Sequence, residues 1–138
     1  MLVIMKGAGD LATGVAVRLH RAGIHLVMTE IPHPIAIRRT VSFCRAVWDG
    51  EATVEGIRAV RAENVAQALE LAQRGEIAVL VDPNADCVRV IQPDAVVDAV
   101  LAKRNINTRI SDAPVVIALG PGFTAGTDCH AVVETMRG

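Results

Sequence analysis

Residues 2–30 read Leu2-Val3-Ile4-Met5-Lys6-Gly7-Ala8-Gly9-Asp10-Leu11-Ala12-Thr13-Gly14, then Val15-Ala16-Val17-Arg18-Leu19-His20-Arg21-Ala22-Gly23, then Ile24-His25-Leu26-Val27-Met28-Thr29-Glu30. Leu2–Met5 is a short apolar run of the kind a buried strand uses. From Leu11 onward, Leu11, Ala12, Val15, Ala16, Leu19 and Ala22 recur on one face of a helical period, with Arg18 and Arg21 off it. Gly23 stops that helix as a residue just past a helix end does. His25–Glu30 is a second strand and ends on an acid. The whole is a βαβ unit of about the ~30 residues such a unit takes.

The turn inside this unit carries a pattern of its own. Gly7, Gly9 and Ala12 fit G-x-G-x-x-G/A, the dinucleotide fingerprint. The first glycine permits the tight turn, the second lets backbone approach a pyrophosphate, and the small third residue lets helix and strand pack. The free N–H groups at the helix start, Thr13 included in the same turn, then face the ligand with the positive end of the helix dipole behind them. Glu30 stands near the ~20-residue spacing at which the fingerprint places an acid for ribose hydroxyls. A plain βα turn without a ligand is the alternative reading. Asp10 sits awkwardly beside a pyrophosphate. It is available instead to cap the helix, to hold a cation or to meet a ligand hydroxyl.

Working outward, Ile31-Pro32-His33-Pro34 is a loop, because two prolines in three residues forbid a helix. Residues 35–47 are expected to form a second helix. Residues 51–61 alternate around Glu55-Gly56, as a strand pair or one bent strand. Residues 63–74 form a helix with Val65, Ala68, Leu69 and Ala72 on its packed face. Residues 77–81, 95–99 and 115–119 are strands, and residues 86–91 are ambiguous. Strands alternating with helices predict an α/β, Rossmann-like domain over residues 1–138, with a mostly parallel sheet flanked by helices. In such sheets ligands lie beyond the carboxyl ends of the strands. Gly7–Gly14, Glu30, Asp82-Pro83-Asn84 and Gly120–Gly126 all follow strand ends, so one sheet edge is expected to hold them.

Composition limits the function. The chain has 138 residues, 51% of them apolar, enough for one core. Only Trp48, Phe43 and Phe123 are aromatic, so the core is aliphatic, as suits a sheet buried on both faces. A formal charge of −1 and the scarcity of stacking side chains give no nucleic-acid footprint. No apolar run reaches a membrane span, and no signal-peptide pattern opens the chain. Cys44, Cys87 and Cys129 are odd in number and far apart, which argues against disulfides and for a cytoplasmic setting.

Further chemistry is concentrated near the end. Gly120-Pro121-Gly122-Phe123-Thr124-Ala125-Gly126 follows an apolar strand, and Gly120, Gly122 and Gly126 allow close backbone approach to a ligand; a surface turn is the alternative. In Asp128-Cys129-His130, an imidazolium would lower the thiol pKa and make Cys129 nucleophilic or able to carry sulfur, with His130 its partner. Neighbours on a strand point to opposite faces, so a buried Cys and a structural His is the favoured reading of the cluster. Cys44 and Cys87 read as core. The Cys and His spacing matches no zinc pattern, so no metal site is assigned. Asp98, inside an apolar run, must be paired, hydrogen-bonded or at a strand end, with Lys103, Arg104 and Arg109 at hand, as a structural ion pair or as part of a ligand site. Arg38-Arg39 either meet a phosphate or form a solvated helix face. Residues 108–114 read as a loop.

Four blocks, residues 6–23 (KGAGDLATGVAVRLHRAG), 29–43 (TEIPHPIAIRRTVSF), 94–105 (DAVVDAVLAKRN) and 120–138 (GPGFTAGTDCHAVVETMRG), together resemble the YqeB family, accessory proteins of the selenium-dependent molybdenum hydroxylase system. The resemblance implies a bacterial, cytoplasmic maturation factor for xanthine dehydrogenase-like molybdenum hydroxylases, similar in role to XdhC-type proteins. Its task would lie in installing or activating selenium, sulfur or the molybdopterin cofactor, with a hydroxylase apoenzyme as partner. The family continues past the block that ends at Gly138, so a truncated or naturally short form lacking part of the site is expected. The family supplies no catalytic residues to carry over. The expected ligand is a nucleotide or a molybdopterin-type cofactor, held between Gly7–Gly14 and Gly120–His130. The alternative is an NAD(P)-dependent oxidoreductase or a dinucleotide-binding regulatory module. An exposed edge strand makes a homodimer an open expectation.

Overall fold

The structure, a computed structural model, describes residues 1–34, 42–102 and 104–134. The opening unit folds as the periodicity requires: strand β1 is Leu2–Lys6, helix α1 is Asp10–Arg21 and strand β2 is His25–Glu30. The expected helix over residues 35–47 lies partly outside the described residues. From Phe43 the chain makes one 3-10 turn, Phe43–Arg45, and a single helical turn α2, Ala46–Asp49, closed by left-handed Gly50. Strands β3 (Glu51–Val54) and β4 (Ile57–Ala62) then pair antiparallel. Glu55 at φ 51° and Gly56 at φ 80° make the mirror-image turn that a two-residue hairpin needs, so the bent-strand alternative falls.

Helix α3 (Val65–Gln73) is capped by Asn64, whose Oδ1 accepts the Gln67 N–H at 2.8 Å. Its buried face is Ala68, Leu71 and Ala72, with Leu69 only half-buried, so Leu71 takes the place expected of Leu69. Strand β5 is Ile77–Val81. The ambiguous stretch becomes the short helix α4, Cys87–Ile91. Strands β6 (Ala95–Asp98), β7 (Val115–Leu119) and β8 (Ala131–Val133) follow.

The eight strands form one sheet in the order β3-β4-β5-β2-β1-β6-β7-β8, parallel everywhere except between β3 and β4. This is the expected α/β class. Alternation along each strand splits the core into two layers. Val3, Met5, Leu26, Met28 and Val79 face α1, α2 and the fully buried Phe43. Ile4, Val27, Ala78, Leu80 and Val96 face α3 and α4. From β1 the chain moves outward to β2, and only later crosses to β6 on the other side of β1. The order therefore reverses between β1 and β6, and a crevice opens at that point beyond the strand ends.

Candidate functional site

A cavity of about 490 Å³ occupies this crevice. Its wall comes from the carboxyl ends of β1, β2 and β6 and from the loops that follow them and β5: Gly7, Gly9 to Ala12, Thr29 to Ile31, Asp82-Pro83 and Asp98 to Leu101. The two fingerprint glycines act differently. Gly7 has φ +97°, and a Cβ there would stand 2.9 Å from the Ala99 carbonyl oxygen. That close approach seats the turn on the backbone leaving β6. Gly9 has open space where its Cβ would be and lines the cavity. No side chain caps α1, and the N–H groups of Gly9, Asp10, Leu11 and Ala12 have no acceptor among the described residues. They are donors ready for a ligand acceptor.

Glu30 braces this turn. Its Oε1 accepts the Ala8 N–H and its Oε2 the Ile31 N–H, both at 2.9 Å. The carboxylate thus holds the glycine turn to the end of β2 while it also lines the cavity. Asp10 is the first helical residue and does not cap the helix; its Oδ1 accepts the Ser42 hydroxyl. Thr13 is fully buried and bonded internally: its Oγ1 accepts the Phe43 N–H at 2.9 Å and donates to the Ala8 carbonyl at 3.2 Å. Ala12 is buried at the start of the helix and lines the cavity floor.

The most heavily bonded polar group in the site is one that sequence reasoning passed over. Lys6 ends β1 directly beside Asp98 in β6, and both are 3% exposed. Lys6 Nζ donates to Asn107 Oδ1 at 3.0 Å and Thr108 Oγ1 at 2.9 Å, and meets Asp112 Oδ2 at 3.3 Å. The Thr108 hydroxyl in turn donates to Asp98 Oδ2 at 2.6 Å, and Asp98 Oδ1 accepts the Val100 N–H. Asp98 therefore draws its charge partner from the neighbouring strand through a hydroxyl, not from Arg104 or Arg109; Lys103 lies outside the described residues, as do Arg38 and Arg39. A lysine closing a run of four apolar residues is the signal that could have pointed to it.

The glycine-rich segment after β7 was expected to form the opposite wall. It does not line the cavity. A Cβ on Gly122 would lie 2.6 Å from the Arg104 Cα, and one on Gly120 3.0 Å from the Leu101 side chain, so these glycines approach Leu101 and Arg104 of the chain itself. Gly126 lies in open space at φ +84° and donates its N–H to the Cys129 carbonyl at 2.7 Å. Cys129 and His130 do not form a reactive pair. Cys129 is fully buried, and burial first, then the Asp128 charge, pushes its thiol up. His130 Nδ1 accepts the Val116 N–H at 2.9 Å, which spends that ring nitrogen on the sheet. Cys87 is pushed up further, by burial and by a hydrogen bond to Asp82.

Both thiols thus favour the protonated form in the fold. Below the unfolded thiol value of about 8.5 their contribution is fully present; above it the unfolded chain ionises first and stability falls by up to about 1.4 kcal/mol per pH unit and thiol. We expect denaturant midpoints to drop between pH 8 and pH 10. We also expect none of the three buried cysteines to react with an aromatic disulfide reagent in native protein at pH 7, and all of them to react after unfolding. Rapid native labelling of Cys129 would contradict this.

Among the described residues no group of three Cys, His, Asp or Glu is placed to hold a metal ion. No helix there is long and apolar enough to cross a membrane.

Compared with known proteins, the chain is 56% identical over 137 residues to the Escherichia coli (strain K12) protein named "Uncharacterized protein YqeB". The match covers 99% of this chain but 25% of that relative, so the chain spans about a quarter of the relative's length. No family model matches the chain, and no solved structure does.

Proposed function

We propose that this chain is a binding domain for a nucleotide or a molybdopterin-type cofactor, serving the maturation of a selenium-dependent molybdenum hydroxylase. The observation that carries the binding claim is the cavity at the strand-order reversal, into which the uncapped start of α1 opens. Its volume of about 490 Å³ suits one heterocyclic ligand. Aliphatic groups of Leu11, Ile31, Pro83, Val100 and Ile106 offer faces for a ring, while backbone N–H groups of the glycine turn and the carboxylates of Asp10 and Glu30 offer donors and acceptors for its edge. The maturation role draws its support from the likeness of residues 6–23, 29–43, 94–105 and 120–138 to the YqeB family. The partner in this reading is the hydroxylase apoenzyme, and the setting is the bacterial cytoplasm. The burial of Cys129 confines the proposal to binding, with no thiol step. β8, three residues long at the sheet edge, is where a second copy would add.

Gly9→Leu is the direct test. Its side chain enters open space at a φ of −74°, so the fold is expected to survive while the cavity fills. In calorimetry with NAD, NADP and molybdopterin cofactor, one of them should bind the natural chain, and the variant should lose at least roughly a hundredfold in affinity, the scale of a blocked buried contact. Unchanged affinity would reduce the turn to a plain connection. The fingerprint and the position of Glu30 favour a second reading, an NAD(P)-dependent oxidoreductase. Tight dinucleotide binding with hydride transfer would establish it and remove the first.

A further inference from the structure

A second cavity, of about 380 Å³, adjoins the first across a wall that both share: Lys6, Ala85, Ile106 and Asn107. Charge is sorted between the two. The first cavity has four carboxylates in its lining, Asp10, Glu30, Asp82 and Asp98, against Lys6 as its one cation among the described residues. Asp10 is the sharpest case, because it stands on the helix end where the fingerprint would seat a phosphate. An anion at that helix end would face a full negative charge beside it, which outweighs the half charge of the dipole.

The second cavity reverses this balance. Lys6, Arg89 and Arg109 line it against Asp86 and Asp112. Three amides, Asn84, Asn105 and Asn107, add donors. Asp86 is held by Arg89 at 2.9 Å, and Asp112 is used by Lys6 and by the Arg109 N–H. The Arg109 guanidinium meets no carboxylate among the described residues. Lys6 reaches Asp112 and the Asn107 carbonyl only at 3.3 and 3.4 Å, longer than its bonds to Asn107 Oδ1 and Thr108. These long contacts are the ones a ligand oxygen would replace.

We propose that the ligand site is bipartite: the ring lies in the first cavity against the glycine turn, and the anionic part, a phosphate or pyrophosphate, lies in the second, on Arg109 and Lys6. The inference rests on the binding role proposed above and corrects the fingerprint's usual placement of the phosphate. Ile106, 66% exposed, and Asn107 form the strap that such a ligand passes. Asn107 Nδ2 reaches the Pro83 carbonyl at 3.4 Å across the gap.

Inorganic pyrophosphate isolates the anionic half. Titrated into the natural chain and followed by backbone amide shifts, it should saturably move Asn107, Thr108, Arg109 and Asp112 and leave Gly9, Asp10, Leu11 and Ala12 in place. Arg109→Gln keeps an exposed polar side chain and should weaken the effect about tenfold, as loss of one charge-assisted contact does. Shifts at Gly9–Ala12, no saturable shift, or an unchanged response in Arg109→Gln would each overturn the proposal. The Gly9→Leu calorimetry is read separately. If cofactor binding survives while pyrophosphate fails at Arg109, only the bipartite site is lost. If pyrophosphate binds at Arg109 but no cofactor binds, the binding role is what fails.

Discussion

Gly7→Ala will destabilise the domain by about 2–4 kcal/mol, the range for a strained backbone combined with a clash that cannot relax. The residue has φ +97°, and its new Cβ would press on the Ala99 carbonyl at 2.9 Å, both atoms belonging to backbone that follows adjacent central strands. Neither can move without breaking the bond from the Gly7 N–H to the Thr29 carbonyl or that from the Ala99 N–H to the Lys6 carbonyl, each 2.8 Å. Urea unfolding should show the loss as a lower midpoint at an unchanged slope. Gly14→Ala is the contrast. Gly14 lies exposed inside α1 with nothing within 4 Å of its missing Cβ, so alanine there should stabilise by about 0.5–1 kcal/mol through helix propensity. If Gly7→Ala were as mild, the turn would not be seated on β6 as described.

Lys6→Met carries the other large effect. The methionine fills most of the lysine volume, but the Thr108 hydroxyl, Asn107 Oδ1 and Asp112 lose their donor, and buried Asp98 loses its counter-charge. Breaking a buried pair from one side costs about 3–5 kcal/mol. Removing the second charge as well, in Lys6→Met with Asp98→Asn, should recover part of that loss, because only the partly exposed Asp112 is then left without its cation. A double-mutant cycle in urea measures the coupling. Additive losses would mean that Lys6 and Asp98 do not act through Thr108.

These two sites also mark how far the sequence is legible. β1, α1 and β2 were readable because each shows its own period, and Gly7 and Glu30 declare themselves by local spacing. Spacing pointed Glu30 at ribose hydroxyls, whereas in the fold the acid at the end of β2 binds the turn itself, through Ala8 and Ile31. Lys6 was not legible, since its partners lie about a hundred residues away and are chosen by strand register. Asp98 suggested nearby cations for the same reason, and the register supplied Lys6 through a hydroxyl. The glycines after β7 pointed to close approach to a ligand, whereas Gly120 and Gly122 approach Leu101, Arg104 and Asn105 of the chain itself. α4 has five residues, too few for a period, and is fixed by Asp82, which accepts the Asp86 and Cys87 N–H groups. The apparent Asp-Cys-His cluster dissolved because a buried thiol and a sheet-bonded imidazole satisfy each residue separately.

In the proposed function, the crevice between β1 and β6 binds a heterocyclic ligand against the glycine turn. Backbone amide shifts of the labelled chain, titrated in turn with ADP and with molybdopterin cofactor, test it most directly. For one of the two, the account predicts saturable shifts at Gly9, Asp10, Leu11, Ala12, Ala99 and Val100, absent in Gly9→Leu. Shifts confined to Gly120–His130, or none with either ligand, would contradict it.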